Sequence, residues 1–455
     1  MTGLLSGGPD LLLKMAAGLL VVWLLVSLVI RVPRAVFILI LFNQLLAALY
    51  FAPVAMHLGS TTVYFTDLLW ACPLVVVLGR VLQNRAALSS ASWLILVAVL
   101  VIFGLAVIGA VQHSLQSSMN ELRGVIQPLP VALYAALVIR TDRDIDWVAR
   151  LWVWWGLVLT GVAALHWAEH GLGSSSRMIV IGGQVVTSRG LLASGALDVT
   201  LAALIVLFTR HPLGWSRAQR VSVGSWLCLV VVLLQHRSLW LALAASCLVG
   251  IATVEAQRAG RATALAAGTY VGIVAAVAAA VGGSSISGDF AASWKEAFSS
   301  NSTATWRING WSELIHQQLS QPGQWLFGRP FGFGYARILN HELVLDAPHN
   351  YLIQILLRGG VVCVFLVLMA FIAIWRALGN RNPAEVGLRT MLFAAFMYML
   401  AYPLEINQGI IIGLCIAAAF APNLPAGPEA PGEAIPAPSS VASRQMASRP
   451  AARLP

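Results

Sequence analysis

The stretch "SWLILVAVLVIFGLAVIGAVQ", residues 92–112, carries no charged side chain anywhere along its length. About 20 consecutive apolar residues are what an α-helix needs to cross the ~30 Å hydrocarbon core of a bilayer. Read as a spanning helix, this stretch sets the fold class of the chain around it. Apolar runs of spanning or near-spanning length recur at 11–30, 35–56, 64–79, 125–139, 147–168, 190–209, 221–236, 239–254, 263–282, 350–375, 388–404 and 409–421. They predict an all-α polytopic membrane bundle of twelve or thirteen transmembrane helices, depending on whether the last two runs are one broken element.

Composition points the same way. The chain has 455 residues, 59% of them hydrophobic and 10% charged, whereas a soluble domain carries about 25% charged residues. A net charge of +10 raises the question of nucleic acid. The basic residues are nearly all arginine, however, and are scattered through short loops, which is the pattern of topology signals. No nucleic-acid partner is expected. The five cysteines (Cys72, Cys228, Cys247, Cys363, Cys415) lie in apolar runs without a CxxC pair, and they read as small core residues. The first run is too long for a signal-peptide core and lacks a basic leader, so it is expected to remain as a span.

Arginines divide the connections into two sets. Arg31 and Arg34, Arg80 and Arg85, Arg140 and Arg143, Arg210 with Arg217 and Arg220, Arg258 with Arg261, and Arg376 with Arg381 fall in every second connection. By the positive-inside rule those face the cytoplasm. The alternate connections then face outward: 57–63, 113–124, 169–189, the tight turn at 235–238 and the long segment 283–349. The predicted organisation is N-terminal transmembrane helices over 1–282, an outer loop over 283–349, C-terminal transmembrane helices over 350–421, and a disordered cytoplasmic tail over 422–455, rich in Pro, Ala and Ser. The long loop contains "SSNSTATWRINGWSELIHQQL", an amphipathic helix with Ser/Thr caps, followed by the glycine-rich "FGRPFGFGY". No internal repeat is visible, which argues against an inverted-repeat transporter.

Polar chemistry collects on the outward side. Arg237 stands in the short "QHRSLW" turn, where a topology signal is not expected, so a ligand-binding or paired role is the better account. Arg307 lies in the long loop, where a solvated arginine is the ordinary reading. His349, in "DAPHNYLIQILLRGG" (346–360), taken alone reads as a helix-capping or interfacial histidine. Behind it Asn350, Gln354 and Arg358 follow at four-residue spacing and form one stripe. Lipid does not tolerate that stripe, so it is expected to face other helices or a wet cavity.

Taken in order, "HRSLWLAL", "WRINGW", "GRPFGFG" and "PHNYLIQILLRGG" resemble the O-antigen ligase and O-antigen polymerase superfamily of bacterial envelopes, over roughly 230–375. The resemblance implies a C-type glycosyltransferase of the inner (cytoplasmic) membrane with a periplasmic loop domain. Such an enzyme moves a glycan from a polyprenyl-pyrophosphate carrier to an acceptor hydroxyl on the periplasmic face. His349 matches the family's essential histidine, Arg237 the arginine of its short interhelical turn, and Arg307 the arginine of its long periplasmic loop. Ligation to a lipid A-core acceptor is the leading expectation. Repeat-unit polymerisation and transfer to protein by the same chemistry are the alternatives, and a lipid-linked-glycan transporter or flippase is the rival from another class. Arg358 departs from the family pattern, which commonly shows an acidic residue there.

The residue types suit that chemistry. A pyrophosphate leaving group suits permanently charged, bidentate guanidinium groups, and deprotonating an acceptor hydroxyl suits a base that titrates near neutrality. No metal and no cofactor is called for. Arg189, which with Arg177 flanks the connection at 169–189, is counted among the substrate-binding residues and is expected to pair with Asp198. Arg358 is expected to pair with Glu405 or Asp198, or to reach the donor phosphates. The DxD within "DRDID" (Asp142, Asp144, Asp146) imitates a metal-nucleotide motif, but its connection is too short for a nucleotide site and it reads as a solvated charge cluster.

Overall fold

The computed structural model describes residues 8–58, 61–84, 86–171, 178–181, 184–187, 190–209, 214–253, 303–321, 323–339, 341–379 and 383–420. The run at 263–282, the tail from 422, Arg177 and Arg189 lie outside them.

The described chain is mostly helical. Its order is α1 (Gly8–Arg31), α2 (Pro33–Ala48), β1 (Ala55–Leu58), β2 (Thr61–Tyr64), α3 (Phe65–Leu82), α4 (Ser90–Gln112), α5 (Leu115–Ile126), α6 (Pro128–Val138), α7 (Asp142–His170), β3 (Met178–Ile181), β4 (Gln184–Thr187), α8 (Ala193–Phe208), α9 (Arg217–Leu233), α10 (Arg237–Thr253), α11 (Thr303–Leu319), α12 (Gln324–Phe327), β5 (Arg337–Leu339), β6 (Glu342–Val344), α13 (Tyr351–Ala377), α14 (Pro383–Met399) and α15 (Gln408–Phe420). Four of these helices, α3, α4, α7 and α13, are long and apolar enough to cross a membrane. The remaining apolar helices are shorter, at 10–17 described residues. The all-α expectation also needs amending, because three two-stranded antiparallel hairpins interrupt the helices.

Helix α4 shows how the apolar sequence is used. Ser89 caps its start by accepting from the Ser92 N–H at 3.1 Å. Ile95, Leu96, Val99, Ile102 and Ala106 are buried, while Trp93, Val97, Leu100, Val107 and Val111 are exposed along the opposite stripe. A helix apolar on both its buried and its open face belongs in lipid, since soluble proteins do not leave such stripes bare. Leu100→Asp is therefore expected to disfavour insertion by about 3 kcal/mol and to deplete the protein from the membrane fraction. Unchanged accumulation would count against a lipid-facing stripe.

Two sequence boundaries move. The run at 35–56 ends as a helix at Ala48, and Tyr50 then takes a left-handed conformation with φ of 59°. Pro53 lacks a donor and disfavours helical geometry at Ala52, so the chain turns into the β1–β2 hairpin. The last two runs are two separate helices, α14 and α15, joined by the connection 400–407, which contains Pro403. Helix α15 is buried through Ala417. It packs on α6 through Gly409 and Gly413, where an added Cβ would come 2.3 Å from Pro128 O and 2.5 Å from Ala132 O. Small residues four apart let the two backbones touch.

Helix α13 is broken at Gly360, with φ of 66° and ψ of −172°. The break frees the Leu357 carbonyl, which accepts from the Arg329 N–H at 2.7 Å. Only glycine fits there, because a Cβ would meet Leu326 O at 2.1 Å. The segment around Leu326 and Arg329 thus docks in the notch of "RGG" (358–360). All five cysteines are buried and free, as their apolar settings predict.

Candidate functional site

His349 stands immediately before the cap of α13. The cap itself is Asn350, whose Oδ1 accepts from the Ile353 N–H at 3.0 Å. Pro348 does not open the helix as its first residue; its carbonyl accepts from the Asn350 N–H at 2.8 Å and from Gln354 Nε2 at 2.7 Å. Pro348 and Asn350 are buried, yet His349 between them is exposed. The imidazole therefore opens outward and leaves capping to its neighbour. Protein atoms packed around the exposed side chain still strip part of its hydration and hold its pKa below the usual histidine range. The guanidinium of Arg307 pushes the same way, Arg337 adds to it, and Asp346 opposes them.

Arg307 projects from α11, confirming the helix expected in the long loop. Its Cζ lies 4.9 Å from the Tyr402 ring centroid, and its Nη1 donates to Ala401 O at 3.4 Å. Its Nε is buried with no hydrogen-bond partner among the described residues. Arg237 is the first residue of α10, after a reversal made possible by a left-handed Gln235 with φ of 56°. The adjacent His236 donates from Nε2 to Leu191 O at 3.1 Å, and its ring lies edge-on to Tyr402 at 6.3 Å. At a helix start Arg237 shares its position with the positive end of the macrodipole, which stabilises anions.

The connection 400–407 is thus the meeting point. Leu400 O accepts from Asn350 Nδ2 at 2.8 Å, Ala401 O accepts from Arg307, and Tyr402 touches both Arg307 and the residue beside Arg237. A buried polar network fixes this connection. Asp198 accepts from Trp155 Nε1 at 2.9 Å, Asn407 Nδ2 at 2.5 Å and Gln408 Nε2 at 3.0 Å. Gln44 donates to Glu405 at 2.8 Å and to Asn407 at 3.0 Å. The expected pairing of Asp198 with Arg189 lies outside the described residues; Asp198's described partners are the indole and the two amides.

The polar stripe does face other helices: Asn350, Gln354 and Arg358 are all buried. Arg358, however, pairs with neither Glu405 nor Asp198. Its Nε lies 2.8 Å from Glu121 Oε2 on α5, its Nη2 donates to Gly334 O at 2.6 Å, and its Cζ sits 4.4 Å from the Tyr335 ring. The same Glu121 carboxylate accepts from the N–H groups of Gly332 and Gly334 at 2.7 and 2.6 Å. Arg358 therefore clamps the "GRPFGFGY" turn and does not reach toward a donor. The physical reason is proximity: about two turns inside α13 it meets the acid of α5, while Asp198 already accepts from an indole and two amides and Glu405 from the Gln44 amide.

Of the acidic decoy, Asp144 accepts at its own helix start from Thr141 and pairs with Arg34 at 2.8 Å, so it is a capped helix terminus. Among the described residues no three His, Cys, Asp or Glu side chains gather as a metal-ligand set. Tyr402, Arg337 and Glu121 escaped the reading of the sequence. An aromatic in an apolar run, an arginine in a loop and an acid in a surface helix carry no local mark of such roles. The chain matches no protein-family model and no curated protein sequence.

Proposed function

We propose that the protein is a polytopic inner-membrane glycosyltransferase with about twelve or thirteen spans and its site on the periplasmic side. In this reading it moves a glycan from a polyprenyl-pyrophosphate carrier to an acceptor hydroxyl, as an O-antigen ligase does. His349 accepts the hydroxyl proton, and Arg237 and Arg307 stabilise the departing pyrophosphate. No metal takes part. The observation that carries this reading is the convergence of all three elements on residues 400–402. The Arg307 guanidinium beside His349 also favours the neutral imidazole, which is the form a base requires. One displacement with proton removal and leaving-group stabilisation inverts the anomeric carbon and needs no carboxylate pair.

Arg237→Lys tests the donor end. An ammonium keeps the charge and loses the planar fork, so the variant is expected to be nearly as impaired as Arg237→Ala, by about a hundredfold in transfer rate. A purified lysine variant with full activity would remove Arg237 from the site. The acceptor is read from the envelope glycans of a deletion strain. Unligated lipid-linked chains identify a ligase, single-repeat chains a polymerase and lost protein glycosylation a protein-directed transferase, and glycans and glycoproteins both unaltered reject the transferase reading.

A further inference from the structure

Arg337 opens β5 and is only 3% exposed, and among the described residues it forms no ion pair. A buried guanidinium with no carboxylate in ion-pair contact is costly even though Asp346 acts on it from further off, so its geometry asks for a reason. Its Nη1 donates to Tyr335 O at 3.1 Å and to Asp346 O at 2.7 Å. Asp346 lies three residues before His349. The rest of the group lies on α11. Its Cζ is 5.7 Å from the ring of Trp306, and a Cβ added to Gly310 would come 2.9 Å from its Nε. Gly310 follows Arg307 by three residues, so both occupy one face of α11, and the missing side chain there makes room for the guanidinium. Nε has no hydrogen-bond partner among the described residues. One side chain therefore spans from the segment that carries His349 to the helix that carries Arg307.

We propose that Arg337 is a positioning residue of the transfer site, clasping the His349 segment to α11 and setting a second fixed positive charge beside the imidazole. The inference rests on the reading of His349 as the base. The charged groups that act on His349 are Arg307 from α11, Arg337 from β5 and Asp346 from its own segment. Two cations against one carboxylate keep the imidazole neutral to lower pH than an isolated histidine. A packing role alone would put an apolar side chain in the Gly310 notch and leave the titration of His349 untouched.

Because His349 is exposed, its titration is readable without activity. The full-length protein in detergent is treated with diethyl pyrocarbonate, which attacks neutral imidazole, across a pH series. Modification of the His349 peptide is then followed by mass spectrometry. In Arg337→Met the half-point is expected to shift to higher pH, and in Arg337→Lys, which keeps the charge, to stay near wild type. The acid limb of kcat/KM is expected to follow the same order. An unshifted half-point in Arg337→Met overturns the proposal. Should that variant not accumulate, Gly310→Ala carries the test: alanine favours the helix while its methyl displaces the guanidinium, and the half-point is again expected to rise. No shift there overturns the proposal equally. A shifted half-point together with normal turnover in His349→Gln would reject the base while leaving the effect of Arg337 on His349 established.

Discussion

His349→Gln is expected to slow transfer by about a hundred- to ten-thousandfold while the protein remains in the membrane at wild-type abundance. Glutamine preserves hydrogen bonding but cannot take a proton at neutral pH. A histidine that served as a helix cap would behave in the opposite way, tolerating Gln and losing protein in proportion to activity. The cap of α13 is Asn350, and its side chain also reaches Leu400 O. Asn350→Ala is therefore the structural control, expected to lower stability by about 0.5–2 kcal/mol through loss of the cap. The pH dependence has a definite sign. Partial desolvation by neighbouring protein atoms and Arg307 hold the imidazole below its ordinary range, so the reactive neutral form persists to lower pH, and the rate falls only on further acidification. A well-expressed His349→Gln enzyme with near-normal turnover would end the assignment.

Much of the architecture was legible because lipid imposes long apolar runs, and length is a strong local signal. The stripe 350–354–358 was legible for a similar reason: polar residues at helical spacing inside an apolar run have to meet protein. What the stripe meets was not legible. Arg358 finds Glu121 across the fold, and a pair so distant in sequence leaves no periodic trace in a single chain. The break at Gly360 was hidden too, since "RGG" inside an apolar run reads as a tolerated pair of glycines, and only the carbonyl of Leu326 shows why a side chain is excluded. For the candidate site, Arg237 stood out by residue type in its short turn, whereas Arg307 and His349 were singled out only by the resemblance of the motifs that carry them. Tyr402 did not, because an aromatic near the end of an apolar run is ordinarily core. Its contact with both Arg307 and His236 depends on how α14 ends.

Glu121→Ala is expected to destabilise the protein by about 3–5 kcal/mol, the usual consequence of removing one partner from a buried ion pair. The Arg358 side chain is 1% exposed and that of Glu121 10%, so water does not replace the lost carboxylate. Among its described partners Arg358 would keep the carbonyls of Pro330 and Gly334 and the face of Tyr335 but no carboxylate. The N–H groups of Gly332 and Gly334 would lose their acceptor, each at a cost of about 1–3 kcal/mol if left unpaired. The damage would spread toward the candidate site, because the released turn ends two residues before Arg337 and Tyr335 O is one of that residue's acceptors. Thermal unfolding of the purified protein and its abundance in membranes measure the effect. The double variant Glu121→Gln with Arg358→Met removes both charges and restores part of the stability, since a buried pair replaced as a whole costs far less than a pair broken in half. Thermal stability at the wild-type level in Glu121→Ala would show that the clamp on the "GRPFGFGY" turn contributes nothing, and the account of Arg358 as its anchor would fall.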